Sequence, residues 1–256
     1  MFFYIVNYLF SININLIEKE IFMSELIVAK KLCKTYDTNG VKTIALKDVN
    51  FTIKAGSFTV ILGPSGAGKT TLLNLLGGMD TISEGSLKVH NTELCGMKRK
   101  ELTKYRRFDV GFVFQFYNLM PNLTALENVE LSVEVSKNAL NPKKVLEQVG
   151  LKERINNFPS QLSGGEQQRV SIARAIAKNA RILLCDEPTG ALDYETGKSI
   201  LKLLYDYSKE YKKTVIIVTH NAAIKDIADQ VIHIKNGGII SIEYQDKPKS
   251  IEEIEW

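Results

Sequence analysis

The sequence predicts an α/β fold, with an antiparallel β subdomain at its N-terminal end and an α-helical subdomain inserted into it. Three observations predict this. The apolar run Phe58 to Leu62 leads into Gly63-Pro64-Ser65-Gly66-Ala67-Gly68-Lys69-Thr70 and then Thr71-Leu72-Leu73-Asn74-Leu75-Leu76, which reads as strand, glycine loop and first helical turns. Two further apolar runs, Arg181 to Cys185 and Thr214 to Val218, each follow a segment of helical pattern, the alternation that builds a parallel sheet. Between Pro121 and Asn157 the apolar spacing changes to 3.6, with Leu126, Val129 and Val133 on one face and Val145, Leu146 and Val149 on another.

From Glu25 the elements follow in order. Leu26 to Ala29 is a strand, Lys34-Thr35-Tyr36 lies in or just before the next turn, and Asp37 to Val41 is a loop. Thr43 to Leu46 and Val49 to Ile53 are two strands, the second alternating as an antiparallel edge does. Gly77-Gly78 caps the helix after the glycine loop, and Glu84 to Val89 is a turn entering a strand. Glu101 to Arg107 is a polar helix. Val110 to Phe114 is a buried strand ending at Gln115. The helical insertion, about 116–165, precedes helix Val170 to Ala177 and the strand to Cys185. Helix Gly197 to Tyr207, strand Thr214 to Val218 and helix Ala222 to Asp229 come next. A hairpin of Val231 to Ile234 and Ile239 to Ile242 closes around Asn236-Gly237-Gly238. The charged tail, 243–256, has no periodicity.

The glycine loop is the chemical anchor. Its pattern is G-x-x-x-x-G-K-[ST] between strand and helix, so successive backbone N–H groups can turn around a phosphate and the helix N-terminus adds positive potential. This is the pattern of a nucleoside-triphosphate site, with Lys69 on the β- and γ-phosphates and Thr70 on Mg²⁺. Asp186 and Glu187 end a wholly apolar strand, at the edge where parallel sheets place ligands; Asp186 suits Mg²⁺ and Glu187 suits the attacking water. Gln115 and His220 end two more strands. Gln115 offers an amide for Mg²⁺ or water, or is an ordinary loop residue; His220 is a γ-phosphate contact or a local hydrogen-bond partner. Leu162-Ser163-Gly164-Gly165-Glu166 opens a helix with the spacing of a capping box. Locally it is a well-capped helix; as a second anion cradle beside a complete first one, Ser163, Gly164 and Gly165 would finish the site of another copy.

Composition bounds the rest. The chain has 256 residues, 45 % hydrophobic, and 33 basic against 29 acidic residues leave a net charge of only +4, too mild to argue for nucleic acid. Cys33, Cys95 and Cys185 are far apart with no C-x-x-C spacing, which suggests neither zinc nor a disulfide framework and fits a reducing cytoplasm. Residues 1–22 begin with an uncharged stretch too short and polar to span a bilayer. An interfacial anchor, a disordered extension and a segment outside the functional protein all fit. The last is expected, because Met23-Ser24-Glu25 starts a sensible chain.

In order, Tyr36, the glycine loop, Gln115, Leu162 to Glu166, Leu183 to Pro188, Ala191-Leu192-Asp193 and His220 make this chain resemble the nucleotide-binding subunit of an ABC transporter. The likeness covers 25–242. It implies a P-loop NTPase (ABC ATPase) core over 23–242, binding ATP and Mg²⁺ at the cytoplasmic face of the cell membrane. It further implies that Tyr36 stacks on adenine and Glu187 is the catalytic base. Ser163 and Gly165 would reach the ATP of a second copy in a head-to-tail dimer, Asp193 would link the two sites, and Gln115 would couple them to a separate integral-membrane permease. Gly111 to Leu119 and Asp186 to Asp193 are similar to the branch serving macrolide export, lipoprotein release and bacitracin-type peptide resistance. The division-type ATPases of that branch, which switch a membrane complex without transport, are one alternative; a soluble ABC ATPase is the other. Asn221 stands where many relatives have Asp.

Overall fold

The computed structural model describes residues 25–254; the expectation for 1–22 lies outside the described residues. Four strands make an antiparallel sheet in the order β2-β1-β4-β5: β1 (Glu25–Thr38), β2 (Val41–Lys54), β4 (Glu84–Val89) and β5 (Thr92–Glu93). Six more make the main sheet: β3 (Phe58–Leu62), β6 (Val110–Val113), β7 (Ile182–Asp186), β8 (Thr214–Thr219), β9 (Gln230–Lys235) and β10 (Gly238–Tyr244). Their order is β10-β9-β3-β8-β7-β6, parallel except for β10.

The pleat of the main sheet explains its unbroken apolar runs. Leu183 and Cys185 of β7, with Val215 and Ile217 of β8, enter one core; Ile182, Leu184, Ile216 and Val218 enter the other. Both faces are covered, so the central positions of these two strands are apolar without alternation. On the first face lie α3 (Ala125–Val133), α4 (Pro142–Gln148), α5 (Gly164–Ala177) and α6 (Tyr194–Glu210); the second holds α1 (Lys69–Leu76) and the antiparallel sheet, with α2 (Arg99–Asp109) contributing Tyr105. α1 ends at Gly77, where Gly78 at φ +62° and the Met79 N–H to Asn74 O bond of 2.8 Å form a glycine cap.

Three elements differ from expectation. Asp37 to Val41 is not a loop: β1 and β2 are each 14 residues long and meet in a tight turn with Asn39 at φ +54° and Gly40 at φ +85°. Asn-Gly is the residue pair that such a turn favours. The strands on either side carry no burial alternation because Val41 to Ile44 project beyond the core, so the pattern that marks a strand fades there. Ala222 to Asp229 is a 3₁₀ helix over Ala222–Ile227, cut short because Gln230 must pair beside Thr59. The tail is folded back. Ile251 and Ile254 are buried on the α6 side of the core, each worth about 1.5–3 kcal/mol of apolar burial. Lys198 Nζ donates to Glu252 O at 3.0 Å, and Tyr194 Oη to Ile254 O at 3.0 Å. Among the described residues, no helix is long and apolar enough to cross a membrane.

Candidate functional site

The C-terminal edge of the main sheet opens into a cleft of about 960 Å³, lined by the glycine loop together with Gln115, Asp186, Glu187 and His220. Four different strands deliver those groups to one place, as parallel topology allows. The loop's shape is fixed by its neighbours. A Cβ on Gly63 would stand 2.2 Å from Ile234 O of β9, and Gly68, at φ +100°, has Ala45 O of β2 at 2.7 Å from the same notional atom. Neither position can hold a side chain. The turn between β9 and β10 braces the loop from outside, where Gly237 N donates to Ala67 O at 3.0 Å.

α1 has no side-chain N-cap, since Gly68 occupies that position. The N–H groups of its first turn, on Lys69, Thr70 and Thr71, therefore have no partner within the helix. Lys69 is buried, and its ammonium donates to Gly63 O at 2.9 Å and Pro64 O at 3.0 Å, leaving a third proton for an anion. Thr70 Oγ1 stands 3.4 Å from Asp186 Oδ1. Burial pushes the Asp186 carboxyl above its usual range, and Glu187 adds to the rise while Thr70 and Lys69 oppose it. A carboxylate in that setting is stabilised by a nearby cation. The hydroxyl, carboxylate and Gln115 amide are hard oxygen donors of the kind that Mg²⁺ takes.

Glu187 follows β7 directly and sits at φ +45°, a left-handed conformation costing on the order of 1–3 kcal/mol for a residue with a side chain. Its backbone N–H donates to Val218 O at 2.9 Å. Oε2 accepts from Thr219 Oγ1 at 3.0 Å, and Oε1 lies 2.9 Å from His220 Nδ1. With Glu187 ionised, that second bond needs the proton on Nδ1. Thr219 lies one residue past the Thr214 to Val218 strand that the sequence delimits, and nothing in the sequence marks it. Asn221 has a plain structural duty: its Oδ1 accepts from Ala223 N at 3.0 Å and caps the 3₁₀ helix, a task Asp performs equally well.

Tyr36 does not line the cleft. Its hydroxyl donates to Asp80 Oδ2 at 2.9 Å, and Lys34 Nζ lies 4.7 Å from the ring centroid. The wall on that side is made by Thr43 and Ile44, the cross-strand partners of Tyr36 and Thr35. Ile44 is 61 % exposed. It is an apolar surface for a flat ring, with no signal in the sequence.

Ser163, Gly164 and Gly165 lie away from the cleft, at the start of α5. The capping box predicted there is present: Ser163 Oγ accepts from Glu166 N at 3.2 Å, and Glu166 Oε2 accepts from Ser163 N at 2.8 Å. That backbone bond, with Arg154 beside it, holds the Glu166 carboxyl below its usual range. Gly165 has a packing reason of its own, because its Cβ would stand 2.5 Å from Thr196 Cγ2 on α6. Ser163 and Gly164 are exposed. Two further groups tie α5 to the cleft. Gln168 Nε2 donates to Pro188 O at 2.8 Å, and the Arg174 guanidinium donates to Tyr117 O and Asn118 O at 2.8 and 2.6 Å, holding the segment after Gln115.

Comparison with known proteins agrees with this geometry. The family model described as ABC transporter matches residues 46–190. A putative ABC transporter ATP-binding protein of Mycoplasma pneumoniae, the MG065 homolog, is 47 % identical over 236 residues, covering 91 % of this chain and 51 % of its own length. The chain thus spans about half of that relative. The lipoprotein-releasing system ATP-binding protein LolD of Cytophaga hutchinsonii is 40 % identical over 85 % of this chain and 100 % of its own length. Among solved structures, the ATP-binding cassette MJ0796 of Methanocaldococcus jannaschii, a dimer in a post-hydrolysis state bound to ADP and Pi, matches with a TM-score of 0.78. It is 42 % identical over 85 % of this chain and 98 % of its own. A family model matched over more than half of the chain, and relatives 40 to 47 % identical over most of it, show that the chain belongs to the ABC transporter family of ATP-binding cassettes.

Proposed function

We propose that this chain binds and hydrolyses ATP and passes the resulting conformational change to a membrane permease, at whose cytoplasmic face it sits. The carrying observation is the convergence of the phosphate loop, Asp186 and the Glu187-His220 pair on one cleft. Lys69 and the first-turn N–H groups of α1 bind the β- and γ-phosphates. Thr70, Asp186 and Gln115 would hold Mg²⁺, which would neutralise charge on the phosphates. Among the described residues no cluster of three or more His, Cys, Asp or Glu could hold a metal alone, so phosphate and water would complete the ion's shell. Glu187 accepts a proton from the attacking water as its oxygen bonds the γ-phosphorus. The bond to the bridging oxygen breaks, its electron pair leaving with ADP, and phosphate is released. His220 contacts the γ-phosphate. Ile44 packs on the base, and Tyr36, which borders the cleft at Thr43, stacks on adenine only if its ring turns from Lys34.

The exposed N-terminus of α5 suits a second copy, which the dimeric MJ0796 structure also favours. Ser163 and the N–H groups of Gly164 and Gly165 would meet the γ-phosphate bound by the other subunit, with Asp193 at the junction. ADP lacks that phosphate, so closure is specific for ATP, and such differential affinity is what shifts a conformational equilibrium. Likeness to LolD favours lipoprotein release as the transport task, with the peptide resistance and export of the same sequence branch as the other readings. The test is gel filtration and phosphate release for wild type and Glu187→Gln. We expect the variant to bind ATP, to run as a dimer only with Mg-ATP, and to lose roughly 10²- to 10⁴-fold in hydrolysis. Hydrolysis at the wild-type rate would remove Glu187 from the role of base. A monomer that binds ATP would remove the shared site.

A further inference from the structure

The two oxygens of the Glu187 carboxylate have unlike partners. His220, on Oε1, has a side chain 68 % exposed, whereas Thr219, on Oε2, is 1 % exposed at the end of β8. Thr219 Oγ1 also accepts from the Asn221 backbone N–H at 3.0 Å. A hydroxyl has one hydrogen, and an ionised carboxylate can only accept, so the hydroxyl hydrogen is directed at Oε2 at 3.0 Å. The donor N–H is itself fixed, because the Asn221 side chain caps the next turn through Ala223 N. The chain of bonds thus starts in rigid backbone and ends on the group proposed above as the base.

We infer that Thr219 is a positioning residue for Glu187, holding its carboxylate through a directed relay from the Asn221 N–H through the threonine hydroxyl to Oε2. The inference rests on the proposed role of Glu187. Held at Oε2, the carboxylate cannot rotate freely, and Oε1 is left to the adjustable His220 and to water in the cleft. The left-handed backbone at Glu187 makes such a hold necessary, because a residue in that conformation relaxes unless its surroundings over-determine it. The apolar neighbours of Thr219 on β8 are consistent with this reading: Val218 and Ile217 are buried hydrocarbon, and the hydroxyl is the first polar side chain after four apolar positions.

The test separates holding from packing. Steady-state phosphate release and equilibrium affinity for a fluorescent ATP analogue are measured for Thr219→Val, Thr219→Ala and Thr219→Ser, beside Glu187→Gln. Val keeps the shape and removes the hydroxyl; Ser keeps the hydroxyl and removes the methyl. We expect Val to lower kcat roughly 10- to 100-fold with KM and ATP affinity within about twofold, and Ser to stay within about threefold of wild type. Ala, which cannot clash, should match Val, and normal ATP affinity shows that each variant is folded. Val within about threefold of wild type, or Ser falling as far as Val, overturns the relay. If that occurs while Glu187→Gln is inactive, the relay alone fails; if Glu187→Gln hydrolyses at the wild-type rate, the role of Glu187 fails with it.

Discussion

Two helix N-termini in this molecule offer the same physics and solve it in opposite ways. α1 begins at Lys69 behind Gly68, with no side-chain cap, while α5 begins behind Ser163 with both halves of a capping box in place. Glycine in place of a Ser, Thr, Asp or Asn cap costs about a few tenths of a kcal/mol. α1 carries that small cost inside a cleft lined by the glycine loop and by Gln115, Asp186, Glu187 and His220, which leaves its first N–H groups open to an anion. α5 satisfies its own Glu166 N–H and stays exposed, with donors to spare only in Ser163 and the glycines. On the function proposed above, the first would hold its anion within one chain and the second would supplement the site of another copy.

Glycine substitutions break the comparison most sharply. A Cβ at Gly68 meets a carbonyl oxygen of β2 at 2.7 Å and adds strain at φ +100°; one at Gly165 has no such backbone strain and meets one methyl of Thr196 at 2.5 Å, with its next contacts at an ordinary 3.7 Å. Gly68→Ala should therefore cost on the order of 2–4 kcal/mol and abolish nucleotide binding, against about 1 kcal/mol or less for Gly165→Ala. Urea melts and nucleotide titration measure both. Equal costs would mean that the two loops are not differently constrained.

Ser163→Ala sharpens it at a smaller scale. Loss of the cap should lower stability by about 1 kcal/mol and leave ATP affinity of the monomer unchanged. In the Glu187→Gln background it should also prevent the ATP-dependent dimer seen by gel filtration. A dimer of undiminished affinity would return α5 to the status of a well-capped helix.

What the sequence made legible follows the same division. The cleft was legible because its donors sit at strand ends and in one glycine loop, where spacing and strand pattern place them: Lys69, Thr70, Asp186, Glu187, Gln115 and His220 all line it. Ser163 was legible as a cap through its three-residue spacing to Glu166. Thr219 and Ile44 were not, because one hides as the last residue of a buried strand and the other gains its place only through pairing across the β1–β2 hairpin. That hairpin was misread although Asn39-Gly40 marked its turn, since its tip leaves the core and loses the alternation that identifies strands. The docked tail escaped for a related reason. Ile251 and Ile254 are two apolar residues in a charged stretch, too few to show a period.

The smallest effect bears on the α1 side alone. Burial and the adjacent Glu187 raise the Asp186 carboxyl, so the folded protein holds its proton to a higher pH than the unfolded chain does. Within that window the native state binds more protons, and stability falls as pH rises from the unfolded value near 4 through the folded one. At neutral pH the charge on Asp186 is therefore a standing cost, one that a bound cation would offset. Asp186→Asn should then raise the melting temperature without nucleotide, by about one to a few degrees, and flatten the acid side of the stability profile. The same variant should lose the further stabilisation that Mg-ATP gives the wild type. A variant less stable than wild type in metal-free buffer would show that the carboxylate is retained for its bond to Thr70 rather than for a cation, and the cleft would then be organised like α5, by satisfying itself.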